Sequence, residues 1–160
     1  MRDDEFERLY AAEAAGLFSF LAYRVGDRSL AEDLTADAFE RALRSRRRFD
    51  RRRGSEKTWL YAIALNVLRD HARRAGAEVR ALERHGSPGE AADPGIAQVE
   101  HRDQVQHALA VLSAEEREAI AMRFGADLTV PEIARVLKEP LTTVEGRVYR
   151  ALRKLRAELS

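Results

Sequence analysis

Residues 128–156 read LTVPEIARVLKEPLTTVEGRVYRALRKLR, and this stretch decides the fold. Thr129 and Glu132 form a Thr-x-x-Glu capping box, which predicts a helix start there, with Pro131 in the first turn where a missing N–H is tolerated. Val130, Ile133, Ala134 and Leu137 supply its apolar stripe. Lys138–Glu139–Pro140 then interrupts the pattern, because the residue before a proline is driven out of helical geometry. A second helix follows, with Leu141, Val144, Val148, Leu152, Leu155 and Leu159 spaced by threes and fours. Arg147, Arg150, Arg153, Lys154 and Arg156 are expected on its other face. A short helix, a tight break and a longer helix, apolar within and basic without, is the pattern of helix-turn-helix DNA readers. Amphipathic helix pairs with a basic face also occur in proteins that never meet nucleic acid, so the rest of the chain has to carry part of the inference.

Working outward, the 160 residues suit one domain or two small ones. A hydrophobic fraction of 45% can build helical cores, and no alternating strand-like run stands out, so the expected class is all-α. The absence of cysteine removes disulfides and thiolate chemistry and agrees with a reducing cytoplasm. MRDDEFERLY is charged throughout, so no signal peptide is expected, and no run approaches a membrane span.

The net charge of +1 conceals a pattern. Residues 46–85 hold 12 basic and 5 acidic side chains, and residues 119–160 are also net basic. Residues 1–45 hold 6 basic and 10 acidic side chains, and residues 86–118 are likewise acidic. Two separate basic blocks suit a protein that meets a polyanion at two places and a different surface elsewhere.

The first helix is expected from about Asp3 to Val25, with Gly26 breaking it. Ser29 with Glu32 reads as a capping box opening the second, in which Leu30, Leu34, Ala38 and Ala42 line one side. Asp33, Asp37, Glu40, Arg41 and Arg44 fall on another, either a solvated face or a protein-docking one. Six arginines then lie between Arg46 and Arg53, ahead of a turn at Gly54. Ser55 is the expected N-cap of a third helix that buries Leu60, Ile63, Ala64, Val67 and Leu68. Tyr61, Asn66, Arg69, Arg73 and Arg74 are expected to face outward, with Trp59 as likely to be core as interface. Arginines neutralise phosphates, rings stack on bases and an amide reads a base edge, so this block suits a nucleic-acid strand.

Glycine and proline punctuate the stretch after residue 76, which sets a linker at 77–97 between domains 1–76 and 98–160, long enough to let the halves sit well apart on a partner. Val99, Val105, Ala108, Leu109 and Leu112 are expected core positions of the second domain, and Ser113 with Glu116 forms another capping box. His71, His85, His101 and His107 lack the close pairing of zinc sites, so no metal is expected. No nucleophile motif, phosphate loop or paired-carboxylate site is apparent, so neither catalysis nor a cofactor is expected.

AEDLTADAFERAL at 31–43, TWLYAIALNVLRDHARR at 58–74, and LSAEEREAIAMRF, LTVPEIARVL and TTVEGRVYRALRKLR in the last third together resemble the extracytoplasmic-function (ECF) sigma factors, bacterial RNA polymerase subunits. The resemblance implies a non-enzymatic role in promoter-specific initiation, with sigma domain 2 at 1–76 and sigma domain 4 at 98–160. It implies core polymerase as partner, through clamp helices and flap, with Asp33, Leu34, Asp37, Phe39, Glu40 and Arg41 on the docking face. It implies promoter DNA as a second partner. Arg51, Arg52, Arg53, Lys57, Trp59, Tyr61, Asn66, Arg69, Arg73 and Arg74 would meet the melted non-template strand of the downstream element. Thr142, Thr143, Glu145, Gly146, Arg147, Arg150 and Lys154 would meet the duplex upstream element. An anti-sigma factor is a further implied partner, and the cytoplasm the implied location.

The sequence departs from the family at several points. Glu145 and Gly146 stand where a basic residue and a serine are frequent. Glu145 can accept from a cytosine amino group or cap through Thr142, and the cap is the expectation; Gly146 suggests close backbone approach to DNA. The Lys-Glu-Pro turn lacks the usual glycine, and Ala42–Leu43 replaces a frequent Ala-Trp. With the reading helix running almost to Ser160, regulation is expected from a partner, from expression or from the linker. A stand-alone helix-turn-helix regulator and a protein-binding helical adaptor remain the alternatives; the first gives the arginine loop and the Asn66 helix no purpose, and the second predicts no DNA role for Arg147 or Arg150.

Overall fold

The computed structural model describes the backbone of residues 1–84 and 107–160 and the side chains of residues 1–76 and 107–160. All regular elements among them are helical. Helix α1 spans Asp3–Val25, α2 Arg28–Arg44 and α3 Glu56–Arg84; α4 spans Ala114–Ile120, α5 Val130–Leu137 and α6 Leu141–Leu159. A 3₁₀ turn at Arg46–Arg48 follows α2, and a π turn at Ala121–Gly125 widens the end of α4. The expected metal-free histidines His85 and His101, and core positions Val99 and Val105, lie outside the described residues. Among the described residues no group of three potential metal ligands occurs, and no helix is long and apolar enough to cross a membrane.

Local chemistry sets most boundaries. Gly26 ends α1 at φ 71°, a left-handed conformation open to glycine, and its N–H closes on Ala22 O. α2 starts earlier than the Ser29–Glu32 pair suggests: Asp27 is the N-cap, accepting from Leu30 N at 3.2 Å. Ser55 caps α3, its hydroxyl accepting from Thr58 N at 3.1 Å. The boxes Ser113/Glu116 and Thr129/Glu132 both form, each with reciprocal bonds. α3 continues to Arg84, eight residues past the expected boundary after residue 76; of the expected linker, residues 85–97 lie outside the described ones.

Two helix faces differ from expectation. Phe39 and Leu34 point inward, Phe39 packing edge-on against Phe6 and Tyr10 at 6.4 and 4.7 Å between centroids. On α6 the buried set is Val144, Arg147, Val148 and Ala151, while Leu141, Leu152 and Leu159 are exposed, because the short α4 and α5 cover only part of its circumference.

One apolar core runs through both halves of the chain, from Leu17, Leu21 and Leu60 to Met122, Leu128 and Ile133. α3 packs on α5 and α1 on the π turn, so the two halves lie against each other.

Candidate nucleic-acid interface

The helix-turn-helix is built from α5, the turn and α6. Without glycine, the turn places Lys138 itself in the left-handed region at φ 56°, its N–H reaching Ala134 O and Arg135 O. Glu139 N donates to Ala134 O at 3.0 Å, and Pro140 occupies the N-cap of α6. Thr143 N and Val144 N bond to Pro140 O at 3.1 and 3.2 Å. No side chain caps this end, so the expected Thr142–Glu145 cap does not form: the helix begins before Thr142, which is thereby already inside it. Thr142, Thr143, Glu145 and Arg150 are exposed and Gly146 is half-buried, forming one outward row.

Arg147 faces the other way. Its side chain is 11% exposed, with Nη2 2.8 Å from Glu139 Oε2 and 3.6 Å from Glu115 Oε2. It therefore ties α6 to the turn and to the start of α4. Lys154 is tied as well, donating to Glu116 Oε1 at 2.8 Å. Glu116 is itself buried and accepts from Ser113 N at 2.8 Å. The Lys154 hydrogen bond, and after it the Ser113 backbone bond, hold this carboxyl down at about 2.

The arginine block forms a loop around Asp50, whose backbone oxygen accepts from Arg53 N at 3.0 Å and whose Oδ1 accepts from Arg52 N at 3.0 Å. Arg51, Arg52 and Arg53 are all exposed. Arg51 is paired with Glu5 and, at 3.3 Å, with Glu56. Trp59 is half-buried, its ring tilted against Phe49 at 5.3 Å. A cleft of about 700 Å³ is lined by Phe49, Arg51, Lys57, Arg8, Glu13 and Arg135, among others.

Asn66, Arg69, Arg73 and Arg74 lie exposed farther along α3 and do not line that cleft. Tyr61 was expected to face outward and does not. It is 1% exposed, edge-on to Phe20 at 5.6 Å, and burial raises its phenol far above the ordinary value. Its position, one residue from Leu60, falls inside the arc of α3 that both α1 and α2 cover, so its ring cannot stack on a base.

Several residues of this surface touch the second half of the chain. Lys57 Nζ donates to Asp127 O at 3.4 Å. Glu118 accepts from Arg24 at 3.3 Å and lies 3.6 Å from Arg69. Burial pushes the Glu132 carboxyl up, but the Thr129 amide and hydroxyl, Lys57 and the Thr58 hydroxyl outweigh this and leave it lowered.

On α2, Asp33 and Glu40 are exposed and Asp37 is half-exposed. Arg41 bonds Asp37 at 3.1 Å and Asp70 at 3.0 Å, joining α2 to α3. The Arg41 and Arg73 hydrogen bonds lower the Asp70 carboxyl. Leu34 and Phe39, both expected on this face, belong to the core.

This arrangement, with a helix-turn-helix in one half and an arginine loop feeding a long helix in the other, matches known proteins over most of its length. The Sigma-70 region 2 family matches residues 9–78, and the Sigma-70 region 4 family matches residues 102–155. The ECF RNA polymerase sigma factor SigC of Mycobacterium tuberculosis is 32% identical over 156 residues, covering 95% of this chain and 82% of SigC. The chain belongs to the ECF sigma factors.

BldN of Streptomyces coelicolor, another ECF RNA polymerase sigma factor, is 31% identical over 95% of this chain, which spans 59% of BldN. The structure of the sigma factor RpoE with the anti-sigma factor NepR from Bartonella quintana superposes with a TM-score of 0.76 at 26% identity, covering 97% of this chain and 96% of that one. In this ECF sigma factor, Arg135 on α5, half a molecule away in sequence, lies beside the arginine loop, its Nη1 3.6 Å from where a Cβ would sit on Gly54. Arg8 of α1 lines the same cleft. Sequence reading missed both, and only their positions off the apolar stripes of their helices hinted at an exposed role.

Proposed function

We propose that this ECF sigma factor acts by binding and not by catalysis, and that its two basic surfaces serve two parts of a promoter. The acidic face of α2, carried by Asp33, Asp37 and Glu40, docks core RNA polymerase. The loop at Arg51, Arg52 and Arg53 and the exposed arc of α3 at Asn66, Arg69, Arg73 and Arg74 engage the melted non-template strand. Phosphates are neutralised there by guanidinium groups, and the cleft floored by Phe49 offers a ring to an unstacked base. Thr142, Thr143, Glu145, Gly146 and Arg150 enter the major groove of the upstream element. Arg147 and Lys154 hold that helix in place, and Tyr61 supports α3 from within.

The observation that carries this reading is the outward row at the start of α6, braced by α5 and by the buried Arg147. The anti-sigma factor bound to the Bartonella protein supports a partner of the same kind here. The test is run-off transcription by core polymerase on a genomic fragment library, with and without this chain. Defined new start sites are the expected result. Tight, specific duplex binding without polymerase, and no new start sites, would instead identify a stand-alone regulator.

A further inference from the structure

We propose that Gly146 is a positioning residue for base recognition: its missing side chain leaves the berth in which the Arg150 guanidinium lies, and Arg150, not Arg147, reads a base. This rests on α6 being the upstream reader. Side chains on a helix lean toward its N-terminus and lie over the residue four positions earlier, so Arg150 leans over residue 146. A Cβ at Gly146 would stand 3.1 Å from Arg150 Nη1, 3.8 Å from Cζ and 3.9 Å from Nη2. The first distance is inside ordinary van der Waals contact, so a side chain at 146 makes the guanidinium give way by a few tenths of an ångström from the place it now occupies. With glycine there, the long Arg150 side chain lies back along the helix with its guanidinium over residue 146, one turn nearer the helix start.

The neighbouring arginine is unavailable for the same task, because both carboxylates of Glu139 and Glu115 hold Arg147 inward. A planar guanidinium presented at a helix start matches the O6 and N7 acceptors of guanine, the ligand this geometry selects. Glycine inside a helix is otherwise unfavourable, so stability and recognition make opposite demands on this position.

The experiment uses the full chain with core polymerase on duplexes randomised through the upstream element, comparing Gly146→Ala, Gly146→Ser, Arg150→Lys and the Gly146→Ala/Arg150→Lys double variant. The parent should prefer guanine at one position by roughly tenfold. Arg150→Lys and both Gly146 variants should lose most of that preference at that same position, and the double variant should lose no more than the singles. Gly146→Ala should also melt at a higher temperature than the parent, which separates lost recognition from lost folding. A Gly146→Ala protein that keeps the preference, or changes it at a different position from Arg150→Lys, overturns the role of Gly146. If no substitution along the outward row changes preference anywhere, the reading of α6 as the upstream reader falls with it.

Discussion

The two basic surfaces of this sigma factor are held in different ways. Along the loop and α3, three of the arginines that face outward are paired: Arg51 with Glu5 and Glu56, Arg69 with Glu118, Arg73 with Asp70. Most of these pairs are half in water, and one of them, Arg69 with Glu118, crosses between the halves of the chain. On α6 the division is sharp. Arg147 is turned inward and doubly paired, whereas Arg150, three residues on, is exposed. The first surface balances part of its charge at the rim; the second separates an inward, paired arginine from an exposed one. Similar composition thus serves two designs, and burial distinguishes them.

The largest expected effect breaks the second design. Arg147→Ala should destabilise the protein by about 2 kcal/mol, below the range for a fully buried pair because Glu139 keeps some water. Arg150→Ala should leave the melting temperature unchanged within about 0.5 kcal/mol, since surface charges contribute little. Thermal melts of the two variants settle the contrast, and equal effects would abolish it.

Next is acid sensitivity. With its carboxyl held at about 2 in the folded protein and near the ordinary 4.5 when unfolded, Glu116 contributes stability that is fully present above about pH 4.5. That contribution drains away as pH falls through 4.5 toward 2. Glu116→Gln should flatten the stability profile across this window, read from denaturant melts at several pH values.

A smaller effect tests the rim of the first design. Glu118→Lys replaces an anion between Arg24 and Arg69 by a third cation and should weaken the contact between the halves by about 1 kcal/mol. Small-angle scattering should then report a larger radius of gyration than for the parent at equal salt. The smallest effect concerns the turn: Lys138→Gly should stabilise by about 0.5 kcal/mol, because the strain of a left-handed lysine slightly exceeds the entropy glycine adds to the unfolded chain. A denaturant midpoint shifted downward would contradict it.

What could be read from the sequence was local. The limits of α1, the Thr129/Glu132 and Ser113/Glu116 boxes, Ser55 as a cap and the break before α6 all depend on residues within four positions of each other. The all-α class and the order of motifs followed from the same signals. What escaped depends on partners far away along the chain. Tyr61 is buried because α1 covers its side of α3. Phe39 turns inward because α1 lies across α2. The inward turn of Arg147 draws on Glu139 across the turn and on Glu115, and Asp127 and Glu118 meet α1 and α3 from far along the chain. Periodicity gives the width of an apolar stripe but not which helix will lie along each edge of it.

Glu118, seated against Arg69, also acts as a counter-ion that the protein carries with it. In the proposed promoter contact, a phosphate arriving at Arg69 must displace a carboxylate already in place, and that exchange becomes easier as added salt screens the pair. Cation release from DNA pulls the other way, weakening association as salt rises. Part of the salt response is thereby internalised, and binding along this surface should vary less steeply with ionic strength than its number of arginines would suggest.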